Sequence, residues 1–402
     1  MIKIGIIKEG KVPPDHRVPL SPEQCAEVKR KFPQVEVKVQ SSEVRKFKDE
    51  EYTALGIEVV PHVEDCDILF GVKEVPIDML IPNKTYLFFS HTLKLQPYNA
   101  KLLRAILDKK IRLIDYEAIK DEKGKRLIGF GRYAGIVGAY HGWRTFGLKH
   151  NLYDIKRPYD CADRKEMEGE LAKVKLPNNM KLVVTGFGRV GNGAKEIIDL
   201  VDIKKVSPEA FLNETFDHPV YVHLDTHEYY RRKSDGGFDK KEFYAQPDLY
   251  ESCLSEYVTQ ADMYIACHLW NSKNPNLITA SDISQDDWKC NVIADISCDI
   301  AGPIVTTLRP SKISDPIFGV NRFTLDETTY DAVDSIAVMS VDNLPCELPK
   351  DASQDFGSEL INNVLPALLS DMSHPSIWGA TETTNEGELT PQYSYLKDYA
   401  NV

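Results

Sequence analysis

Short apolar runs alternate with amphipathic stretches from the first residue to Glu117. Ile2 to Ile7 reads as a buried strand. A rigid, proline-rich loop over 13–22 follows. Ser21, Pro22 and Glu23 then make a helix start, with a serine cap, proline at the first helical position and an acid in the first turn. That helix is expected to run to about Lys31. Val35 to Val39 is a second strand, 43–55 looks helical, and Ile57 to Val60 is extended. Asp67 to Val72, Thr85 to Ser90 and Ile111 to Tyr116 are three more strands, with a helix over 97–109 before the last. Such alternation predicts a parallel sheet with helices on both faces. Lys73 with Glu74, His91 and Glu117 each follow a strand end. Ligands of open parallel sheets sit beyond the carboxyl ends of the strands, so a shared cleft is expected there.

A second pattern begins at Lys181. The apolar run Leu182-Val183-Val184 leads into Gly186-Phe187-Gly188-Arg189-Val190-Gly191, and then into helical spacing at Ala194, Ile197, Ile198 and Val201. Strand, G-x-G-x-x-G turn and helix in that order predict dinucleotide binding. Gly186 permits the turn, Gly188 lets a pyrophosphate approach the backbone, and Gly191 lets helix and strand pack closely. The helix start supplies free N–H groups for a phosphate.

Ile203 to Val206 reads as the next strand, where an acid would normally read the ribose. Ser207 and Pro208 stand at its tip instead. Glu209 nearby, and Asp225 at the end of the strand Tyr221 to Leu224, are the candidates. A missing tip acid favours NADP(H) over NAD(H), because an acid there would repel a 2′-phosphate. The strands 261–267 and 291–297 complete the unit, with Asp295, Ser297 and Asp299 as cofactor-side candidates.

Between the two patterns, 129–144 is rich in glycine and apolar residues. It reads as a helix crossing between domains, packed closely through Gly135, Gly138 and Gly142. Residues 151–178 read as a charged surface excursion. A further strand over 335–341 and a helix over about 356–369 are taken to return to the first domain. From Ser373 the chain reads as polar and irregular, with Tyr393, Tyr395 and Tyr399 docking on the surface. The expected fold is therefore α/β: two Rossmann-like, doubly wound parallel-sheet domains with the active site in the cleft between them. The substrate domain takes 1–135 plus 335–402, and the dinucleotide domain takes 136–334.

Composition narrows the function. Of 402 residues, 42% are hydrophobic, enough for two sizeable cores. Net charge is −12, with no basic block, which argues against nucleic-acid binding but not against an anionic small-molecule substrate. The eight cysteines show no C-x-x-C spacing, so neither a zinc knuckle nor a redox dithiol is indicated. Reduced thiols, a first strand in place of a signal peptide, and no run of membrane-spanning length lead to the expectation of a cytoplasmic protein without a metal. The sequence leaves monomer or homo-oligomer open.

The chain also resembles a family. Arg17 in HRVPLSP, Lys73 in GVKEVP, His91 and Lys94 in KTYLFFSHTLKLQ, the run IRLIDYEAI, Arg126 in GKRLIGFG, and Asp342 in SVDNLPCELPKDASQDFG look like the lysine-ketoglutarate reductase domain and the lysine-forming saccharopine dehydrogenases. The resemblance covers nearly the whole chain, without the saccharopine-cleaving half of the bifunctional enzymes. RVPLSP, VKE and the glycine turn are shared with alanine dehydrogenases and the transhydrogenase subunit. The resemblance implies an NAD(P)(H)-dependent enzyme that joins the ε-amine of lysine to 2-oxoglutarate and reduces the imine to saccharopine. In it, Lys73 and His91 move protons, and Glu74 tunes them. Arg17 and Arg126 clamp substrate carboxylates, Glu117 binds the substrate amine, Lys94 lies on the substrate side, and Asp342 contacts cofactor or substrate. An alanine-dehydrogenase-like amination, or a non-catalytic dinucleotide-binding protein, are the alternatives.

Overall fold

The computed structural model describes residues 1–401. They form two compact units, Met1–Phe130 joined by the residues from Pro349 onward, and Gly131–Leu348.

The first unit is built on β1 (Ile2–Ile6), β2 (Val35–Gln40), β3 (Glu58–Val60), β4 (Ile68–Phe70), β5 (Thr85–Phe88) and β6 (Arg112–Asp115), in the order β3-β2-β1-β4-β5-β6. All neighbours pair in parallel. Alternation sorts the two faces. Phe70, Leu87 and Ile114 pack with Phe356 and Leu360 on one face. Leu69, Tyr86 and Leu113 pack with Leu102 and Ile106 on the other. Burial on both sides is why these strands read as continuous apolar runs.

Ser21 caps the helix Pro22–Lys31, with Gln24 returning the bond to the cap backbone. The helix expected over 43–55 shrinks to Asp49–Thr53. Buried Arg45 donates Nε to the Phe47 carbonyl at 3.0 Å, and the Ser41 hydroxyl reaches Asp49 at 2.5 Å, so side chains hold the preceding stretch as a loop. The late helix starts at Pro349, passes through a π turn at Leu360–Val364 and ends at Ser370. Pro366 has no N–H to donate back, which accounts for the break in the regular ladder. The segment after Ser373 is not a loose tail. Thr381 bridges to Ile114 of β6, and Tyr393 is buried with Leu103 and Leu107.

The second unit carries β7 (Lys181–Thr185), β8 (Lys204–Lys205), β9 (Val220–Leu224), a side ladder of β10 (Tyr230–Arg232) and β11 (Tyr250–Ser252), then β12 (Met263–Ala266), β13 (Val292–Asp295), β14 (Ile317–Asn321), β15 (Glu327–Thr328) and β16 (Ser335–Met339). The large sheet runs β15-β14-β16-β13-β12-β7-β9-β8, parallel except at β14 and β15.

Three expectations change here. Residues 335–339 do not belong to the first unit: Ala337, Val338 and Met339 pair with Val292, Ile293 and Ala294 of β13, so the chain returns only at Pro349. Lys204–Lys205 is a two-residue edge strand, and β9 is the strand beside β7. The glycine-rich helix, Gly131–Lys149, begins at the unit boundary and lies wholly in the second unit. It packs on the helix after the glycine turn, where a Cβ on Gly135 would stand 1.9 Å from the Val190 carbonyl oxygen. Buried His141 fixes its other side, with Nε2 2.8 Å from Glu347. The charged 151–178 segment is partly anchored: Met167 is fully buried and Arg164 bonds Glu168 and Glu196.

Candidate functional site

In the first sheet the strand order reverses between β1 and β4. Such a switch point opens a crevice at the carboxyl ends of the strands. Glu9, just past β1, spans it. Its two carboxylate oxygens accept the backbone N–H groups of Val72 at 2.7 Å and Lys73 at 3.0 Å. Burial, and then the negative charge of Asp15, push the Glu9 carboxyl up to about 7. The Lys73 ammonium is drawn down by burial and then by the nearby charges of Arg17 and Lys11, against the opposing pull of Asp15 and Glu74.

Glu74 faces His91, with Oε1 2.7 Å from Nδ1, and accepts Lys11 Nζ on Oε2 at 2.7 Å. Burial works to raise its carboxyl, but the hydrogen bonds from His91 and Lys11 outweigh it and hold it at about 2. An ionised carboxylate only accepts, so Nδ1 carries the hydrogen in that bond and Nε2 is left for exchange. Asn99 donates to the Ser90 carbonyl at 2.8 Å and lies 3.4 Å from Glu74.

One short helical turn after His91, Lys94 reaches Glu117 at 2.9 Å, and Arg126 donates to the same carboxylate from the other side. Burial raises the Glu117 carboxyl, and these two cations more than reverse it. Arg17 is 2% exposed. Its Nε and Nη2 engage Asp15 at 3.0 and 2.6 Å, and its guanidinium lies 4.1 Å from the Phe130 ring centre. Arg17, Lys73, Glu74, His91, Lys94, Glu117 and Arg126 thus all lie in the first unit. Lys11, Glu9, Asp15 and Asn99 join them without having been anticipated. Glu9 did carry a signal: Lys8-Glu9 follows β1 as Lys73-Glu74 follows β4.

In the second unit the glycine turn follows β7, at the reversal between β7 and β12. Gly186 has φ +90°, and a Cβ there would stand 2.4 Å from the Cys267 carbonyl oxygen. A Cβ on Gly191 would stand 1.8 Å from the Gly186 oxygen, whereas Gly188 faces open space. That combination of closed and open faces is a cradle in which a phosphate can reach the backbone at the start of the helix Arg189–Ile198. His223 of β9 holds the turn from below. Its Nε2 donates to the Gly186 carbonyl at 2.7 Å, and its ring stacks on Phe187 at 3.9 Å.

Asp225 ends β9, beside β7, and is half-exposed while capping the short helix after it. Glu209 lies on the helix after the edge strand β8, one strand further out. The premise for favouring NADP(H), a missing tip acid, therefore does not hold, since the tip in question is that of β9. Asp295 is buried, accepting Thr307 Oγ1 at 2.7 Å and the Cys298 N–H at 3.1 Å, so it braces the strand end from within. Ser297 donates to the His268 carbonyl at 2.8 Å. Asp342 is exposed.

Two switch points, one lined by proton-carrying side chains and one by a glycine turn, define an α/β protein of the dinucleotide-fold class. Residues 5–137 match the family described as alanine dehydrogenase/PNT, N-terminal domain, and 171–383 its C-terminal domain. The chain belongs to that family. It is 30% identical to the alpha-aminoadipic semialdehyde synthase of Arabidopsis thaliana over 98% of this chain, but spans only 41% of that relative. The saccharopine dehydrogenase (NAD(+), L-lysine-forming) of Schizosaccharomyces pombe is 25% identical, over 85% of this chain and 87% of its own. Among solved structures, an L-alanine dehydrogenase superposes with a TM-score of 0.66 at 17% identity, covering 99% of both chains. No helix among the described residues is long and apolar enough to cross a membrane.

Proposed function

We propose that the chain is an NAD(H)-dependent oxidoreductase of the CH–NH class, interconverting saccharopine with lysine and 2-oxoglutarate. The observation that carries this is the switch point of the first sheet. There a lysine with a lowered pKa lies in the first unit with a histidine whose Nδ1 is committed to Glu74. Similarity to lysine-forming saccharopine dehydrogenases supports the choice of substrates. Asp225 at the β9 tip supports NAD(H), since a carboxylate accepts from a ribose diol and repels a 2′-phosphate.

Joining an amine to a keto group needs a proton delivered to the departing hydroxyl and one taken from the amine. His91 exchanges protons at Nε2 while Nδ1 stays bonded to Glu74. Lys73, with its ammonium destabilised by burial, takes the proton from the incoming amine. Each such transfer contributes about 10²–10⁴-fold. Arg17 and Arg126 bring fixed positive charge for the carboxylates, and Glu117 attracts the amine once Lys94 or Arg126 yields to it. The glycine turn, His223 and Asp225 would hold the dinucleotide, which supplies the hydride that reduces the imine.

A labelled cofactor tests this. With reduced nicotinamide carrying deuterium at the transferred position, lysine and 2-oxoglutarate are expected to yield saccharopine one mass unit heavier. Deuterated alanine from pyruvate and ammonia, with no saccharopine, would replace this reading by an alanine-dehydrogenase-like one.

A further inference from the structure

His91 stands at φ 55°, a left-handed backbone that residues with a Cβ seldom adopt. Such a conformation persists only where its surroundings over-determine it. The residues on either side, Ser90 and Thr92, are fully buried. The Ser90 N–H donates to Asp115 Oδ2 at 2.9 Å, and its hydroxyl lies 2.5 Å from that oxygen and 3.1 Å from Glu382 Oε1. The Thr92 hydroxyl donates to Glu382 Oε2 at 2.5 Å, and the Thr92 N–H donates to Ser90 Oγ at 3.1 Å. Asp115 ends β6. Glu382 arrives from a segment 292 residues beyond Ser90.

Both carboxyls are fully buried. Among the described residues no cation pairs with either; Glu117 and the phenols of Tyr116, Tyr393, Tyr395 and Tyr399 are the other titratable groups that feel their charge. Two buried charges without a counter-ion are expensive, and two adjacent carboxylates do not both ionise readily. The backbone N–H groups of Ser90 and Glu117 serve the two Asp115 oxygens and the Thr92 hydroxyl serves Glu382 Oε2, but the single Ser90 hydroxyl hydrogen cannot serve both Asp115 Oδ2 and Glu382 Oε1, and one further proton completes the network.

We propose that Asp115 and Glu382 share one proton and act as a single positioning element for His91, clamping Ser90 and Thr92 so that the imidazole meets Glu74. Burial, and then the charge of Asp115, raise the Glu382 carboxyl to about 8, and burial raises Asp115 as well. The positioning role rests on the reading of His91 given above, whereas the shared proton does not.

Glu382→Gln, a neutral isostere, and Glu382→Leu separate the two parts. Three readouts apply to the whole chain: Tm across pH 6 to 9, the NMR titration of the His91 ring (assigned by its loss in His91→Asn), and the pH profile of kcat. In Glu382→Gln the His91 titration is expected to be unchanged and kcat to stay within about threefold, with less loss of Tm above pH 7 than in the parent. In Glu382→Leu the His91 titration is expected to move and kcat to fall at least about tenfold, with the KM for cofactor unchanged.

Parallel Tm curves for the parent and Glu382→Gln would overturn the shared proton. A folded Glu382→Leu with the parent His91 titration would overturn the positioning role. Should Glu382→Leu not fold, Thr92→Val removes one clamp hydroxyl, and an unmoved His91 titration there overturns the role equally. Full turnover by His91→Asn, together with a His91 titration that Glu382→Leu moves in the otherwise unaltered chain, would instead refute the catalytic reading and leave the pair standing.

Discussion

His91 has one nitrogen bonded to Glu74, so a single ring atom is left to exchange protons, and Lys73 is the other group proposed to exchange them. Lys73→Met is expected to fold and to bind cofactor normally, with turnover lowered by about 10²–10⁴-fold; unchanged turnover in a folded variant would remove the lysine from the chemistry. Glu74→Gln keeps the shape but loses the charge that fixes the His91 tautomer. Its kcat is expected to fall while cofactor affinity, read by fluorescence titration, stays the same. The Glu74 carboxyl is held at about 2 in the fold, below its ordinary 4.5. Its stabilising contribution is therefore complete above that ordinary value and lost as pH falls toward 2. Glu74→Gln is expected to flatten that acid limb of the melting curve. Lys73, Glu74, His91 and Glu117 were legible because each follows an apolar run directly. Lys11 and Asn99 were not, because neither lies at a strand end and only the folded loops bring them to Glu74.

At the scale of the element, the glycine turn depends on contact distances. Gly191→Ala would put a methyl 1.8 Å from the Gly186 carbonyl oxygen, which neither backbone can vacate. We expect loss of cofactor binding together with a stability loss of about 1–3 kcal/mol, measured by denaturant titration. Asp225→Ser is expected to weaken NADH binding and narrow or reverse the preference over NADPH. An unchanged ratio of the two affinities would deny Asp225 the ribose. The strand, turn and helix were readable in order because they are local. Sheet order was not. Lys204–Lys205 comes next in the chain after the turn helix, yet β9 takes the place beside β7, because Val220, Val222 and Leu224 offer a fully buried apolar strand and Lys204 and Lys205 do not.

For the whole molecule, buried titratable groups set the pH of greatest stability. Burial holds His268 down to about 3, so its contribution disfavours the fold in acid and this cost disappears as pH rises to the ordinary histidine value near 6.5. Glu9 at about 7, Asp295 at about 6 and Glu382 at about 8 are raised carboxyls. Each contributes stability that is complete below its ordinary value and lost as pH rises through its folded one. Three carboxyls lose stability over the range in which His268 gains it, so melting temperature is expected to be highest in mildly acid solution and to decline toward pH 8. The division into two α/β units was legible from two strand–helix series. The return point was not, because β16 is apolar enough for either sheet and only its register with β13 and β14 assigns it.

The most direct measurement is absorbance of reduced nicotinamide with purified protein, lysine and 2-oxoglutarate, each substrate omitted in turn. We expect the signal to fall only when both substrates are present, and faster with NADH than with NADPH. No loss with that pair, under conditions where pyruvate and ammonia or no substrate at all gives turnover, would contradict the proposed condensing reductase.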